Sequence, residues 1–341
     1  MQNIRLKASS GTTDIVIGTG LSARIASLDP PPLILIDEKV LDLHAQVFSG
    51  YKCIAIPSGE AFKTLETVAS LYRELLAMEV DRNTLVLGVG GGLATDVAGF
   101  VASTMLRGLR FGFISTTLLG QVDASIGGKN GVNLDGYKNL VGSIVQPAFV
   151  WCDLDLVQTL PEREYVSGIA EVIKYGAICD RSFLAYLEEN MEGLLARDSQ
   201  IMEQVVAVSV ATKVDIVQKD EREGGLRRLL NFGHTIGHAI ERNGEHFHGE
   251  AVALGMLYAS RISQHFGLMK AAETEALGAL IESAGLPVEA VIDAELISEN
   301  VCKDKKKQGS GIHFILLEGL GNAVIRLLSL DELKSLIHDL C

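Results

Sequence analysis

Four of the eight histidines of this 341-residue chain lie in the segment NFGHTIGHAIERNGEHFHGEAVALGM, residues 231–256. His234 and His238 are four residues apart, so on a helix both imidazoles project from one face. Asn243-Gly244 predicts a break in that helix, and His248 begins the next apolar run, which would return a third imidazole towards the first two. Neutral imidazole is the commonest metal ligand in proteins, and a catalytic zinc takes three N or O ligands and keeps one position open.

The same spacing also fits a purely structural segment, with two histidines packed on a helix and two on a loop. Spacing alone leaves both interpretations open, and a carboxylate ligand is the next group to look for. Glu171 is a candidate, because it lies in the otherwise apolar helical segment SGIAEVIKYG, where a buried carboxylate needs a partner. Lys174 offers a second explanation, since the i, i+3 spacing is typical of an ion pair within a helix.

Length, charge and cysteine content restrict the class of protein. A chain of 341 residues predicts two domains. The formal net charge of -13 and pI near 5.1 disfavour nucleic acid and anionic membranes as partners. The 5 cysteines are scattered without CxxC spacing, and neither a signal peptide nor an apolar run of membrane-spanning length is evident. These features predict a soluble, cytoplasmic protein with reduced thiols.

The elements that must position these residues differ between the two parts of the chain. Residues 1–159 alternate short β-rich runs with helical patterns, which predicts an α/β domain. The predicted strands are DIVIG, LILID (Leu33–Asp37), CIAIP (Cys53–Pro57), TLVLG (Thr84–Gly88) and a run from Arg110. A helix is predicted over Thr64–Val80, with Val68, Leu71, Leu75 and Leu76 on its buried stripe. Residues 160–341 are predicted to be a mainly helical domain with one strand at Ile312–Leu317.

The segment VLGVGGGLATD, residues 86–96, runs from a strand through four glycines into a helix. That arrangement brings backbone N–H groups towards a phosphate at a helix N-terminus. Two features differ from the standard dinucleotide fingerprint. Leu93 replaces the third glycine, and the acidic strand-end residue Asp37 comes about fifty residues before the glycines instead of about twenty after them. A dinucleotide site and a tight structural turn both remain open. The turn from Ser58 to Lys63 is most simply a helix N-cap.

A long polar connection, Ser115–Asn139, is predicted between the α/β elements, and its length is typical of functional or disordered loops. Its apolar residues argue against disorder, so it is interpreted as a polar wall of a site, with a solvated loop as the alternative. It contains Asp123, Lys129, Lys138 and Asn139. Charged residues at near-helical intervals before Asn231, and the run Lys303–Lys307, are interpreted from pattern alone as solvated.

Taken together, these segments resemble the 3-dehydroquinate synthase family over nearly the whole chain. The motifs that carry the resemblance are SGEAFK, GGGLATD, STTLLGQVDASIGGKNGVN, GYKN, LDLVQTLPERE, SGIAEVIKYG, DEREGGLRRLLNFGHTIGHAIE, HGEAVALGM and the DKK near the C-terminus. The resemblance implies an α/β nucleotide-binding (Rossmann-like) N-terminal domain, a mostly α-helical C-terminal metal-binding domain and a homodimer.

The resemblance also implies roles for individual residues. The metal ligands would be Glu171, His234 and His248. NAD contacts would come from Asp37, Glu60, Lys63, Gly91, Gly92, Leu93, Asp96, Thr116, Thr117, Lys129, Lys138 and Thr159. Catalytic roles would fall to His238, Glu223, Lys129, Lys174, Lys213 and Asp123. Substrate contacts would come from Arg107, Asn139, Arg227, Asn231, Lys305 and Lys306, with Arg107 reaching the site of the partner subunit.

The activity implied is conversion of 3-deoxy-D-arabino-heptulosonate 7-phosphate to 3-dehydroquinate and phosphate. The steps are transient oxidation by NAD, phosphate elimination, reduction and intramolecular aldol closure, with zinc or cobalt as the divalent metal. In a chain of net charge -13, binding this phosphorylated acid requires local lysine and arginine. The alternatives are another sugar phosphate cyclase, a metal-dependent polyol dehydrogenase and a non-catalytic nucleotide-binding protein. The last would show a lost ligand or lysine, and this sequence shows neither.

Overall fold

A computed structural model describes residues 1–242, 246–290 and 311–340. The chain forms two compact units. The first contains Met1–Pro161 and Met202–Arg222, and the second contains Glu162–Ile201 and the described part of Glu223–Cys341. The first break is close to the boundary predicted at Thr159. The segment Met202–Arg222 differs from the prediction, which assigned it to the C-terminal domain.

The first unit is built on parallel strands. Its strands are β1 (Gln2–Ala8), β2 (Gly11–Gly18), β3 (Leu33–Asp37), β4 (Lys52–Ile56), β5 (Leu85–Gly90), β6 (Arg110–Ser115), β7 (Lys129–Leu134), β8 (Tyr137–Ile144) and β9 (Phe149–Asp153). Seven of them form a sheet in the order β1-β2-β9-β6-β5-β3-β4. Only the β1–β2 pair of this sheet is antiparallel. Strand β5 is buried throughout, as expected for an apolar strand inside a parallel sheet.

The helices of the first unit follow the strands. They are α1 (Glu38–Leu43), α2 (Ala45–Phe48), α3 (Leu65–Ala77), α4 (Gly92–Thr104) and α5 (Leu154–Val157). Helix α3 lies within the predicted range and buries Val68, Leu71 and Leu75. The prediction was wrong for Leu76, which is 63% exposed. Leu76 follows Leu75 directly, so it points about 100° further round the helix, away from the buried stripe.

The predicted long loop Ser115–Asn139 is not a loop throughout. Strand β7 lies within it, and β8 begins near its end; the two strands pair antiparallel as a separate two-stranded sheet. The backbones of the two strands approach closely where Gly131 pairs with Gly142, and a Cβ on Gly142 would overlap the carbonyl oxygen of Asn130. These strands were missed because their glycines and exposed polar residues give no apolar alternation.

The second unit is mostly helical. Its helices are α6 (Glu162–Cys179), α7 (Arg181–Leu195), α9 (His234–Glu241), α10 (His248–His265), α11 (Ala271–Ser283) and α12 (Leu330–Leu340), and helix α8 (Ser199–Lys219) continues into residues of the first unit. Strand β10 (Gly311–Leu317) confirms the predicted strand, and it pairs antiparallel with β11 (Ala323–Ser329). Strand β11 was missed because its residues do not alternate between a buried and an exposed face. Leu328 is its only buried residue. Among the described residues, no helix is long and apolar enough to cross a membrane.

Polar contacts explain why Met202–Arg222 belongs to the first unit. The carboxylate of Glu221 accepts hydrogen bonds from the hydroxyls of Ser9 and Ser10, and from the side-chain amide of Gln146 at 3.0 Å. Lys213 donates to the carboxylate of Asp123 at 2.7 Å. A buried carboxylate is stable only with such partners. No local sequence pattern reports these contacts, because they join residues far apart in the chain.

Candidate active site

Three side chains of the second unit form a compact group with the chemistry of a metal site. Glu171 lies in the middle of helix α6 and is fully buried, whereas His234 and His248 are the first residues of helices α9 and α10. The Nε2 atoms of His234 and His248 lie 3.3 Å and 3.6 Å from Oε1 of Glu171. One ligand atom from each residue lies within 4.8 Å of the other two. A single ion can therefore contact all three.

The environment of Glu171 fits a metal. Its Oε1 is buried and accepts no hydrogen bond of good geometry from the described residues, although the two imidazoles are close. The imidazole nitrogens and the carboxylate oxygen lie close together without the alignment of a hydrogen bond. Metal ligands that all point at one ion have this arrangement. One carboxylate and two imidazoles also match the donor set of catalytic zinc sites. The sequence alternative of histidines that only pack is therefore disfavoured.

Lys174 places a positive charge beside Glu171. Its buried ammonium forms an ion pair with Oε2 of Glu171. Burial by itself raises the pKa of the Glu171 carboxyl, but the charge of Lys174, together with the interactions of the His234 and His248 imidazoles, outweighs burial and holds that pKa well below its ordinary value. Glu171 is therefore a carboxylate ready to bind a cation. The two sequence interpretations of Glu171, ion pair and ligand, use different oxygens and are both compatible with the structure.

A row of three contacts fixes helix α6 against the first turn of helix α10. The carboxylate of Glu250 accepts hydrogen bonds from Arg163 at 2.6 Å and 2.8 Å. The hydroxyl of Ser167 accepts a hydrogen bond from the N–H of Gly249 at 2.8 Å. Glu171 then faces His248. Residues 163, 167 and 171 are spaced by four, so they share one face of helix α6 and meet residues 250, 249 and 248 in turn.

His238 lies beside this group but outside it. Its ring centroid is 5.2 Å from that of His234, one turn earlier on helix α9, and its side chain is exposed. A second set of ligand atoms, from His238, Glu241 and His248, also lies within 4.8 Å. The spacing of the histidines did not separate these sets, because it carries no information about the position of Glu171.

The residues before helix α9 place further polar groups in the second unit. A 3-10 helix spans Leu226–Asn231. Arg227 on it is 2% exposed, so the interpretation of a solvated face is wrong there. The side-chain amide of Asn231 donates to the carboxylate of Glu223 at 2.5 Å, and Glu223 has a left-handed φ of 61°. Lys305 and Lys306 lie outside the described residues.

In the first unit, the strand order creates a crevice of the kind in which α/β sheets bind ligands. Strand β3 lies between β4 and β5, so the chain changes direction across the sheet at the carboxyl ends of β3 and β5. Open α/β sheets bind their ligands at such a point. Asp37 ends β3, and a Cβ added to Gly90 at the end of β5 would lie 3.0 Å from the Cβ of Asp37. Strand order therefore brings Asp37 to the glycines despite its unusual position in the sequence.

The turn between β5 and α4 fits a phosphate group. Helix α4 begins at Gly92, with Gly91 as its N-cap and Leu93 in its first turn. Side chains are excluded there, because a Cβ on Gly91 would lie 2.8 Å from Cγ2 of Thr117 and one on Gly92 would lie 2.9 Å from Cβ of Ala124. Close packing therefore requires glycine at both positions, and the N–H groups of the first turn of helix α4 are of the kind that binds an anion. The buried hydroxyl of Thr116 has no hydrogen-bond partner among the described residues.

Lys63 joins predicted cofactor and substrate residues of the first unit. Its buried ammonium contacts the carboxylate of Asp96 at 2.5 Å and the side-chain oxygen of Asn139 at 2.6 Å. Burial raises the pKa of Asp96, and the charge of Lys63 opposes that rise. The turn from Ser58 to Lys63 was interpreted as a helix N-cap, but the N-cap of helix α3 is Thr64, whose side chain accepts from the N–H of Thr67. The ammonium of Lys63 lies between Asp96 and Asn139, two of the predicted site residues.

Asn133 is a residue that the sequence did not single out. Its side chain donates to Glu60 at 2.8 Å and accepts from the N–H of Asn139 at 2.9 Å. Its backbone N–H donates to the carbonyl of Lys63 at 2.8 Å. Asn139 has a left-handed φ of 53°, and Asn133 helps to hold it in that conformation. Only the pairing of β7 with β8 reveals this role.

The other predicted residues of the first unit take separate positions. The Lys213 ammonium contacts the Asp123 carboxylate and is 5% exposed, so it is not part of a solvated face. The hydroxyl of Thr159 lies at hydrogen-bonding distance, 2.9 Å, from Nε2 of His44. Lys129 begins β7 and Lys138 lies in β8, both exposed. Arg107 is exposed and has a left-handed φ of 68°.

Comparison with solved structures shows which class of proteins has this fold. A 2-epi-5-epi-valiolone synthase from Streptomyces hygroscopicus subsp. jinggangensis 5008, solved with NAD+ and Zn2+, superposes with a TM-score of 0.89 at 28% identity, covering 100% of this chain and 99% of that one. A 2-deoxy-scyllo-inosose synthase, solved with carbaglucose-6-phosphate, NAD+ and Co2+, gives 0.87 at 26% identity, with 99% of both chains covered. The class is that of the sugar phosphate cyclases.

Sequence comparison specifies the family within that class. Residues 53–167 match the family described as 3-dehydroquinate synthase N-terminal, and residues 168–307 match 3-dehydroquinate synthase C-terminal. The 3-dehydroquinate synthase of Geobacter sp. (strain M21) is 40% identical over 99% of this chain and 98% of its own, and that of Azotobacter vinelandii is 40% identical over 95% and 93%. The chain belongs to the 3-dehydroquinate synthase family.

A more distant likeness concerns the fold alone. A probable glycerol dehydrogenase from Sinorhizobium meliloti 1021 superposes with a TM-score of 0.68 at 18% identity, covering 96% of this chain and 95% of that one. The polyol dehydrogenase alternative thus shares the architecture of this protein.

Proposed function

We propose that this protein is a 3-dehydroquinate synthase, which converts 3-deoxy-D-arabino-heptulosonate 7-phosphate to 3-dehydroquinate and phosphate. The observation that carries the proposal is the buried carboxylate of Glu171 facing His234 and His248, in a chain 40% identical to a 3-dehydroquinate synthase over nearly its full length. A non-catalytic family member would have no reason to keep a buried charge beside two imidazoles, because its burial costs free energy.

We assign the metal to Glu171, His234 and His248 of the domain 160–341, and NAD to the domain 1–159. NAD would be held by Asp37, Glu60, Lys63, Gly91, Gly92, Leu93, Asp96, Thr116, Thr117, Lys129, Lys138 and Thr159. When bound, NAD supplies reversible hydride transfer, and zinc or cobalt lowers the pKa of the substrate hydroxyl that is oxidised. The glycine turn before helix α4 and the unpartnered Thr116 hydroxyl support the NAD assignment.

The substrate carries a phosphate and a carboxylate, and we assign its contacts by charge. Lys129, Asn139, Asn231, His238 and one of the lysines Lys305 and Lys306 are proposed to hold the phosphate. Lys213 and Arg227 are proposed to hold the carboxylate and hydroxyl end. Both of these cations are buried, which favours charge-assisted hydrogen bonds over solvated contacts. Lys174 and Asp123, each paired with an oppositely charged site residue, would position the groups that bind substrate.

Acid–base roles are proposed for His238 and Glu223. His238 is exposed and its ring lies 5.2 Å from that of His234, so a proton could pass between His238 and a substrate bound beside the metal-ligand group. Glu223 accepts a hydrogen bond from Asn231, which orients its carboxylate. A homodimer is also proposed. The exposed Arg107, on a turn with left-handed backbone, supports a contact with the partner subunit.

The test is phosphate release by the purified protein with zinc, NAD and 3-deoxy-D-arabino-heptulosonate 7-phosphate. We expect phosphate and 3-dehydroquinate in equal amounts, with NAD required and no steady rise in absorbance from NADH. The hydride is returned within each turnover, so the cofactor is not consumed. Stoichiometric NADH would assign the protein to the dehydrogenases, and no turnover in the presence of bound metal and NAD would contradict the proposal.

A second candidate is another sugar phosphate cyclase, because the solved synthases share nearly the whole fold. Their identities of 26% and 28% are lower than the 40% to the 3-dehydroquinate synthase of Geobacter sp. (strain M21), which favours the first candidate. Comparing kcat/KM for the heptulosonate with that for glucose 6-phosphate and sedoheptulose 7-phosphate separates them. We expect the acid to be preferred by orders of magnitude, and Arg227→Ala to narrow that preference, because a buried cation without its anion costs about 2–5 kcal/mol. Comparable values for the neutral-ended sugars would favour the second candidate.

A further inference from the structure

His248 lies between two carboxylates that face opposite nitrogens of its ring. Its Nε2 is 3.6 Å from Oε1 of Glu171, and its Nδ1 is 3.5 Å from Oε2 of Glu241. Glu241 is the last residue of helix α9, and its side chain is 15% exposed. Each ring nitrogen of His248 therefore has a carboxylate oxygen within 4 Å.

The two ring nitrogens of His234 have similar surroundings. Its Nε2 also faces Glu171, and its Nδ1 lies 3.1 Å from the carbonyl oxygen of Phe232. Both histidines thus present Nε2 to Glu171 and have an acceptor beside Nδ1. In metal sites the second imidazole nitrogen commonly donates its hydrogen to a carboxylate or carbonyl, which fixes the tautomer and the orientation of the ring.

We propose that Glu241 is a positioning residue for His248, which keeps its Nε2 directed at the metal held with Glu171 and His234. This inference rests on the metal site of the proposed function. Glu241 accepts the Nδ1 hydrogen of His248 and so leaves Nε2 with its lone pair available to the ion. Without Glu241, the ring is free to rotate about its side-chain bonds or to carry its hydrogen on Nε2.

A direct metal ligand is the other role for Glu241, because His238, Glu241 and His248 also offer ligand atoms within 4.8 Å. The geometry favours positioning. Glu171 and Glu241 face opposite edges of the same ring, so one ion bound to the Nε2 edge with Glu171 is out of reach of Glu241. The group containing Glu171 also has the fully buried carboxylate, which has the greater need of a cation.

The test uses the full-length protein without substrate, so it does not depend on turnover. Zinc affinity is measured by competition with a chelator, metal stoichiometry by elemental analysis, and the ligand field by the visible spectrum of the cobalt-loaded protein. We expect Glu241→Ala to bind one metal ion about 10- to 100-fold more weakly, with an altered cobalt spectrum. Glu241→Gln should recover part of the affinity, because its amide oxygen still accepts the Nδ1 hydrogen.

The matched control is Glu275→Ala, at an exposed position of helix α11, which should leave affinity and spectrum unchanged. Thermal unfolding of the metal-free variants separates positioning from a general structural effect, and Glu241→Gln provides a folded variant if the alanine variant does not fold. Wild-type affinity and spectrum in both Glu241 variants would overturn the proposal, as would loss of all bound metal, which would make Glu241 a ligand. Absence of phosphate release by the wild type, with these metal effects intact, would contradict the proposed function alone.

Discussion

The hydroxyl of Ser167 accepts a hydrogen bond from the backbone N–H of Gly249 at 2.8 Å, and this bond joins the middle of helix α6 to the first turn of helix α10. Glu171 follows Ser167 by one helical turn, and His248 immediately precedes Gly249. The bond therefore fixes the separation of two proposed metal ligands that come from different helices. Helix α10 approaches so closely that a Cβ on Gly249 would overlap the carbonyl oxygen of Ser167.

Gly249→Ala is expected to displace the first turn of helix α10 from helix α6. The overlap is with backbone, so relief requires movement of a helix, and we expect the free energy of unfolding to fall by about 3 kcal/mol and zinc to bind more weakly. Gly278→Ala in helix α11 is the control, because its Cβ would lie 3.7 Å from Cδ2 of Leu257, an ordinary contact. Denaturant unfolding and zinc titration check both variants. Normal zinc affinity in Gly249→Ala would contradict the role given to this contact.

Replacing any of Glu171, His234 and His248 by alanine should remove both bound zinc and activity. His238→Ala should impair turnover and keep the metal, because the group of ligand atoms that contains Glu171 is completed by His234 and His248. Elemental analysis of the four purified variants, beside their phosphate-release rates, checks the assignment. Full metal occupancy in His248→Ala would show that the ligand set is wrong.

Lys63→Met is expected to weaken NAD binding about tenfold to a hundredfold. The substitution keeps the apolar stem but removes the ammonium that Asp96 and Asn139 share, and a charge-assisted hydrogen bond contributes about 1.5–3 kcal/mol. Isothermal titration calorimetry with NAD gives the dissociation constant of each variant. Lys52→Met, at an exposed position of strand β4, should bind NAD like the wild type. Equal affinities for the two variants would exclude Lys63 from the cofactor site.

Glu221 makes the stability of the first unit sensitive to acid. Burial alone would raise the pKa of its carboxyl, but hydrogen bonds from Ser10, Ser9 and Gln146 lower that pKa to about 2. The folded pKa is thus below the unfolded value of about 4.3. The stabilisation is complete above pH 5 and is lost as the pH falls through 4 towards 2.

Glu221→Gln should therefore lower the free energy of unfolding at pH 7 by about 1–2 kcal/mol, with a deficit that shrinks as the pH falls. Urea unfolding at several pH values between 7 and 3 measures the difference. Glu74→Gln, at an exposed position of helix α3, should follow the wild type at each pH. A deficit that stayed constant down to pH 3 would mean that the carboxylate charge does not stabilise the folded protein.

Local patterns determined several elements before the structure was known. Strand β3 has the bounds predicted for it, Leu33–Asp37, because a continuous apolar run there ends at an acidic residue. Helix α10 begins at His248, where the apolar run was predicted to start. Residue type and spacing also gave the three imidazoles of His234, His238 and His248, with the carboxylate of Glu171, as candidates for a metal site. These features depend on neighbours within one or two turns of the chain, which a short window of sequence contains.

Only the tertiary structure decided which of these residues meet. Strand order places Asp37 beside Gly90, although about fifty residues separate them in the sequence. Burial of Lys213 and Arg227, which pattern alone assigned to solvent, depends on partners elsewhere in their units. The positions of Glu241 and Ser167 beside the ligand residues depend on the packing of helix α10 on α9 and α6. Such contacts form between segments distant in sequence, so their free energies are set by the assembled fold and leave no periodic signal in the chain.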